Sequence, residues 1–150
     1  MKNKNLSEIQ ELWKKECQID DIELDASSLQ VPILHAKYAE LLSNKKLEVI
    51  RYERRMKELD KDKWLWYGGK MSRKQIEDKK WDFDPFNGLT VLKSDYSKFK
   101  GADKDIQDLY EKLQYLRITV EFLTDVVSQL TWRHQTIKNI IEWRKFMAGS

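Results

Sequence analysis

Residues 61–70 read Lys61-Asp62-Lys63-Trp64-Leu65-Trp66-Tyr67-Gly68-Gly69-Lys70, in which cations alternate with three aromatic side chains before a glycine pair. The chemistry open to such a run is the binding of a single nucleic-acid strand. Ammonium groups neutralise phosphates, and an unpaired base stacked on an aromatic face contributes roughly 1–3 kcal/mol with little regard to base identity. Lys70, Arg73, Lys74, Lys79 and Lys80 carry the charge on past the glycines. The candidate strand-binding set is therefore Lys61, Lys63, Trp64, Trp66, Tyr67, Lys70, Arg73 and Lys74. The same residues equally fit a helix end whose aromatics belong to the core and whose lysines are solvated.

Other chemistry finds no support. Cys17, His35 and His134 lack metal-ligand spacing, and His134 is expected to pack on a helix face. Gly69-Lys70-Met71-Ser72 is similar to the tail of a phosphate-binding loop, but Trp64 stands where its first glycine belongs and Met71 replaces the hydroxyl residue. Asp82 and Asp84 flank Phe83 with no third carboxylate nearby, which suits turn residues better than a cation site. No nucleophile has a supporting base. The expectation is a protein that is not an enzyme and uses no cofactor or metal.

The net charge of +3 is too small to point to nucleic acid, and its distribution is more telling. A run of charge is usually just a solvated helix face, and the aromatics beside it carry the argument. Residues 37–80 hold 14 Lys or Arg against 8 Asp or Glu, while the rest of the chain holds 14 against 17, so positive charge concentrates beside the aromatics. At 150 residues a single domain over 1–150 is expected, with a core large enough to fold without disulfides or metal. Cys17 has no partner for an internal disulfide, the first residues carry no apolar leader, and no apolar run is long enough to span a membrane. These features fit an intracellular protein.

The elements that must position the basic-aromatic run are helical. Ile9, Leu12 and Trp13 share one face of a short amphipathic helix over about residues 7–17. Residues 20–25 are acidic and read as a connection. Pro32 suits the first turn of a long helix reaching about residue 66, with Leu34, Tyr38, Leu41, Val49, Tyr52, Met56 and Leu59 as its apolar stripe and Lys45 interrupting it. Gly68 and Gly69 close that helix, and Ser72 caps a short helical turn to about residue 79. Residues 81–88 form an irregular loop pinned by its aromatics, and residues 89–92 are extended without a strand partner.

The C-terminal third has the strongest periodicity. Leu109, Leu113, Leu116, Val120, Leu123, Val127 and Leu130 step by four and three, and the register continues through His134, Ile137 and Ile141. Ile118, Phe122 and Val126 add a second stripe. A face this wide exceeds what one partner helix covers, so Leu113, Leu116, Val120, Leu123, Val127, Leu130, Ile137 and Ile141 are candidates for packing between subunits. An internal antiparallel hairpin or bundle fits the same pattern.

Four stretches make the chain resemble a known family: residues 31–38 (VPILHAKY), 62–70 (DKWLWYGGK), 85–95 (PFNGLTVLKSD) and 137–146 (IKNIIEWRKF). In that order they resemble the UvsY family of recombination mediators from large tailed phages, nearly end to end. The resemblance implies a mainly α protein that assembles into a ring-like homo-oligomer of about six or seven copies. It also implies binding of single-stranded DNA and work alongside the phage's RecA-like recombinase and its single-strand-binding protein. In that role the protein helps the recombinase nucleate filaments on covered DNA, in the cytoplasm of the infected bacterial host. The family's basic DNA-binding element falls on Lys61 and Lys63, and its assembly helix on residues 106–146. The alternative from another class is a helical scaffold whose basic patch binds an acidic protein surface.

Overall fold

The first helix starts where Asn5 closes a capping box. Its side-chain oxygen accepts from the Glu8 N–H at 2.9 Å while the Glu8 carboxylate accepts from the Asn5 N–H at 2.8 Å. In this computed structural model, which describes residues 3–149, the helices are α1 (Leu6–Glu16), α2 (Leu24–Tyr67), α3 (Arg73–Lys79), α4 (Tyr96–Gly101) and α5 (Lys104–Met147). A 3-10 turn at Lys93–Asp95 precedes α4, and the described residues contain no strand. No helix among the described residues is long and apolar enough to cross a membrane.

The long central helix begins earlier than Pro32. The Asp20 carboxylate accepts from the Ile22 and Glu23 N–H groups, and the Ser27 hydroxyl donates to the Asp20 carbonyl, so the acidic stretch expected as a mere connection anchors the start of α2. Pro32 lies inside the helix, which loses one backbone bond there and continues. At the other end the glycines act as expected. The Lys70 N–H reaches the Leu65 carbonyl at 2.9 Å and the Gly69 N–H reaches that of Trp66 at 3.2 Å. This double closure needs a left-handed residue, and Gly69 supplies it with φ +67°. Ser72 caps α3 reciprocally with Gln75.

The chain forms two compact units. One comprises the residues up to Leu47 with those from Leu116 onward, and thus α1 and the outer parts of α2 and α5. Its core is Ile9, Tyr38, Leu41, Leu123, Val126 and Leu130, with Leu12, Trp13, Leu34, Leu42, Phe122 and Val127 packed around them. Lys45, the break in the α2 stripe, is buried yet satisfied, its ammonium donating to the Asn3 side chain at 2.7 Å. The other unit, Glu48–Tyr115, has an aromatic core of Trp66, Tyr67 and Ile76 ringed by Met71, Trp81, Phe86 and Phe99.

The α5 seam differs from its expected register. The buried positions are Leu113, Leu116, Thr119, Leu123, Val126, Leu130, Arg133 and Ile137, so Thr119, Val126 and Arg133 take the places expected for Val120, Val127 and His134. Val120 and Val127 are half-buried, Ile141 is 39% exposed, and His134 faces outward with Nδ1 against the Thr131 carbonyl. Arg133 tolerates burial because its guanidinium donates to the Glu16 and Gln18 carbonyls at the end of α1. Leu123 and Leu130 are fully covered by residues of the same chain. The expectation that they contact a neighbouring subunit is corrected accordingly: Ile9, Tyr38 and Leu41 occupy that face.

Leu123→Ala is expected to destabilise the fold by about 2–5 kcal/mol, the range for emptying a fully packed leucine site. Lys112→Ala, at an exposed position of the same helix, should stay within about 0.5 kcal/mol. Chemical denaturation midpoints of the two variants check both values.

Candidate nucleic-acid interface

Within Glu48–Tyr115 the lysine expected to hold a phosphate instead holds the unit together. Lys63 is 2% exposed, and its ammonium contacts the Asp103 carboxylate at 3.1 Å and that of Asp105 at 2.8 Å. It also sits 3.9 Å from the Trp81 ring centroid and 4.5 Å from that of Trp66. A charge so enclosed is stable only when paired and hydrogen-bonded. Asp103 in turn accepts from the Tyr67 hydroxyl at 2.7 Å and from the Ile106 N–H at 3.1 Å, capping the start of α5. Burial works to raise the Asp103 carboxyl, but the bonds from Tyr67, Ile106 and Lys63 outweigh it and hold the group below the usual carboxylate range. Burial, reinforced by the neighbouring Asp103, pushes the Tyr67 hydroxyl well above an ordinary tyrosine.

Two of the three clustered aromatics follow Lys63 inward. Trp66 is buried against Trp81 and donates its indole N–H to the Asp82 carbonyl at 2.9 Å, and Tyr67 is fixed by Asp103. The expectation that Lys63, Trp66 and Tyr67 face a strand as a set is corrected: α2 turns them toward α3, the loop and the start of α5. Trp64, two positions from Trp66 and so on another side of the helix, remains 53% exposed.

Trp64 borders the candidate site. A recess of about 410 Å³ is lined by Trp64, Tyr67, Gly68, Lys70, Lys93, Tyr96, Ser97 and Lys100. The Lys70 ammonium sits 4.2 Å from the Trp64 ring centroid, Lys100 pairs with Asp60 at 2.8 Å, and Tyr96 stacks on Phe86 with centroids 5.0 Å apart. Phe86 meets Phe99 edge-on at 5.1 Å, so the loop is pinned by its aromatics as expected. Three lysines around two accessible rings can neutralise phosphate and offer a flat apolar face together.

The other candidates lie outside this lining. Lys61 is exposed, with a loose 3.9 Å contact to Asp62. Arg73 is exposed on α3, 4.9 Å from the Phe83 ring, and Lys74 is exposed beside it. Lys79 is half-exposed and pairs with Asp62. The residues missing from the candidate set are Lys93, Tyr96, Ser97 and Lys100. Their signal was present: residues 93–100 alternate Lys93, Tyr96, Lys98, Phe99 and Lys100 much as residues 61–70 do. Asp84 is a turn residue as read, accepting from the Phe86 and Gly88 N–H groups, and the described residues contain no cluster suited to a metal ion.

Comparison with known proteins gives a consistent result. Residues 12–150 match the family model described as "Recombination, repair and ssDNA binding protein UvsY". The recombination protein uvsY of Enterobacteria phage T4 is 28% identical over 144 residues, spanning 96% of this chain and 98% of that protein. Two crystal structures of the bacteriophage T4 recombination mediator protein UvsY superpose with TM-scores of 0.77 and 0.79 at 25% and 26% identity. They cover 96% and 97% of this chain, and 99% and 98% of theirs.

Lys63→Met is expected to act on stability before it acts on any ligand, because it strands Asp103 beside Tyr67; breaking a buried pair this way costs about 3–5 kcal/mol. Asp103 has a depressed folded-state value, so its contribution is present above the unfolded carboxylate value of 3.8 and is lost as pH falls through the lower folded one. Denaturation midpoints followed downward from neutral pH should therefore drop below roughly pH 4 in the parent chain. Asp103→Asn should start from a lower midpoint and lose less of it over that range.

Proposed function

Since the chain belongs to the UvsY family of recombination, repair and single-stranded DNA binding proteins, we propose that it is a recombination mediator that binds single-stranded DNA. On this reading it helps a phage RecA-like recombinase nucleate filaments on DNA covered by the single-strand-binding protein, in recombination, repair and recombination-dependent replication in the cytoplasm of the infected host. The observation that carries the strand-binding part is the recess bordered by Trp64 and Tyr96 with Lys70, Lys93 and Lys100 around it. Lys61, Arg73 and Lys74 add exposed charge from the same unit. The described residues bring together no catalytic constellation, and the work required is a shift in an equilibrium.

A single site of this kind is weak, and repetition around a homo-oligomeric ring would multiply it through avidity. With Leu123 and Leu130 used inside the chain, subunit contact falls to the exposed apolar side chains of α5, among them Ile118, Trp132, Ile141, Trp143 and Phe146. A strand held on several copies follows a constrained path, which disfavours its cover protein and leaves the strand open to the recombinase.

Fluorescence anisotropy of labelled single-stranded and duplex oligonucleotides across a salt series, with light scattering of the protein, tests this reading. The expected result is an oligomer with a single-strand preference and a steep salt slope. Lys61→Ala should weaken binding and flatten the slope with the oligomer intact. Absence of single-strand binding at low salt would replace this function with the scaffold reading.

A further inference from the structure

We propose that the recess is a nucleotide subsite, in which one unstacked base of a single strand lies between Trp64 and Tyr96 while Lys93, Lys70 and Lys100 hold its phosphate. The proposal rests on the strand-binding function above and adds which part of the ligand meets which side chain. At about 410 Å³ the recess lies within the roughly 300–1,000 Å³ typical of small-ligand sites. Its walls differ in kind: the rings of Trp64, Tyr67 and Tyr96 supply apolar surface, Ser97 adds a hydroxyl, and the three lysines supply charge.

The platform is built before any ligand arrives. Tyr96 is backed by Phe86, which is braced by Phe99, and Tyr67 is fixed through its hydroxyl to Asp103. The cations, in contrast, are held by weak partners or none. The Lys70 ammonium rests over Trp64, and Lys100 is paired with Asp60, whose own side chain is largely exposed. Among the described residues Lys93 has no ion-pair partner. An exposed lysine over a tryptophan is worth less than a base stacked on the same ring, so an arriving base displaces Lys70 and frees its ammonium for the adjoining phosphate. An acidic peptide would satisfy the lysines but give the two rings no flat partner.

The test compares binding of a labelled oligothymidylate with that of an equally long backbone of abasic residues, by anisotropy. The parent chain should bind the base-bearing strand about tenfold more tightly, the lower range for one stacked base. Trp64→Ala should remove most of that preference, Trp64→Phe should retain it, and Lys93→Ala should weaken both strands alike. Trp64 is half-exposed and outside the core, so its truncation spares the fold, which circular dichroism melting verifies. Equal binding of both strands by the parent chain, or a preference unchanged in Trp64→Ala, overturns the subsite while leaving strand binding standing. An acidic peptide that displaces neither strand supports it; one that displaces strands bound equally by parent and Trp64→Ala overturns it. Failure of the parent chain to bind either strand at low salt overturns strand binding itself.

Discussion

The ion pair of Lys63 with Asp103 and Asp105 is the constraint from which the Glu48–Tyr115 unit follows. Withdrawing an ammonium from water costs several kcal/mol, and the cost is offset only if carboxylates and rings surround it in one arrangement. Here the lysine comes from the end of α2 and the carboxylates from the start of α5, with the neighbouring rings of Trp66 and Trp81 against the ammonium. Asp103 also caps α5 and anchors Tyr67, so one carboxylate serves an ion pair, a helix end and a buried hydroxyl.

The recess inherits its shape from this cluster. Tyr67 is held at its lining by Asp103, and the aromatic chain from Trp66 through Trp81, and from Tyr67 through Phe86 to Tyr96 and Phe99, sets the loop and α4 against it. Aromatic residues adjacent in sequence are thereby divided between two tasks. Trp66 and Tyr67 support the unit, while Trp64 stays accessible. Buried clusters of this sort impose geometry through satisfied charge, which limits what can replace them.

The other unit relies on a different economy of charge. Arg133 and Lys45 are buried there, one donating to backbone carbonyls at the end of α1 and the other to Asn3. Both occupy stripes that otherwise read as apolar. Arg133, together with Thr119, rotates the buried face of α5 by about one residue from the leucine heptad, a shift that no count of apolar side chains detects.

Much of the architecture was legible from local pattern alone. Glycine conformational freedom marks the end of α2 at Gly69, reciprocal capping marks the start of α3 at Ser72, and apolar spacing reveals three main helices, because each depends on contacts within a few residues. The family was legible too, through four short stretches in shared order. Side-chain destination was not. Lys63 and Lys61 are both lysines in one charged helix, and what separates them is Asp103, forty residues onward, which only the tertiary structure brings within 3.1 Å of Lys63. For the same reason the candidate site gained Lys93, Tyr96 and Lys100 and lost Trp66: composition announces which groups are available, but burial and the long-range partners that satisfy charge decide which of them meet solvent.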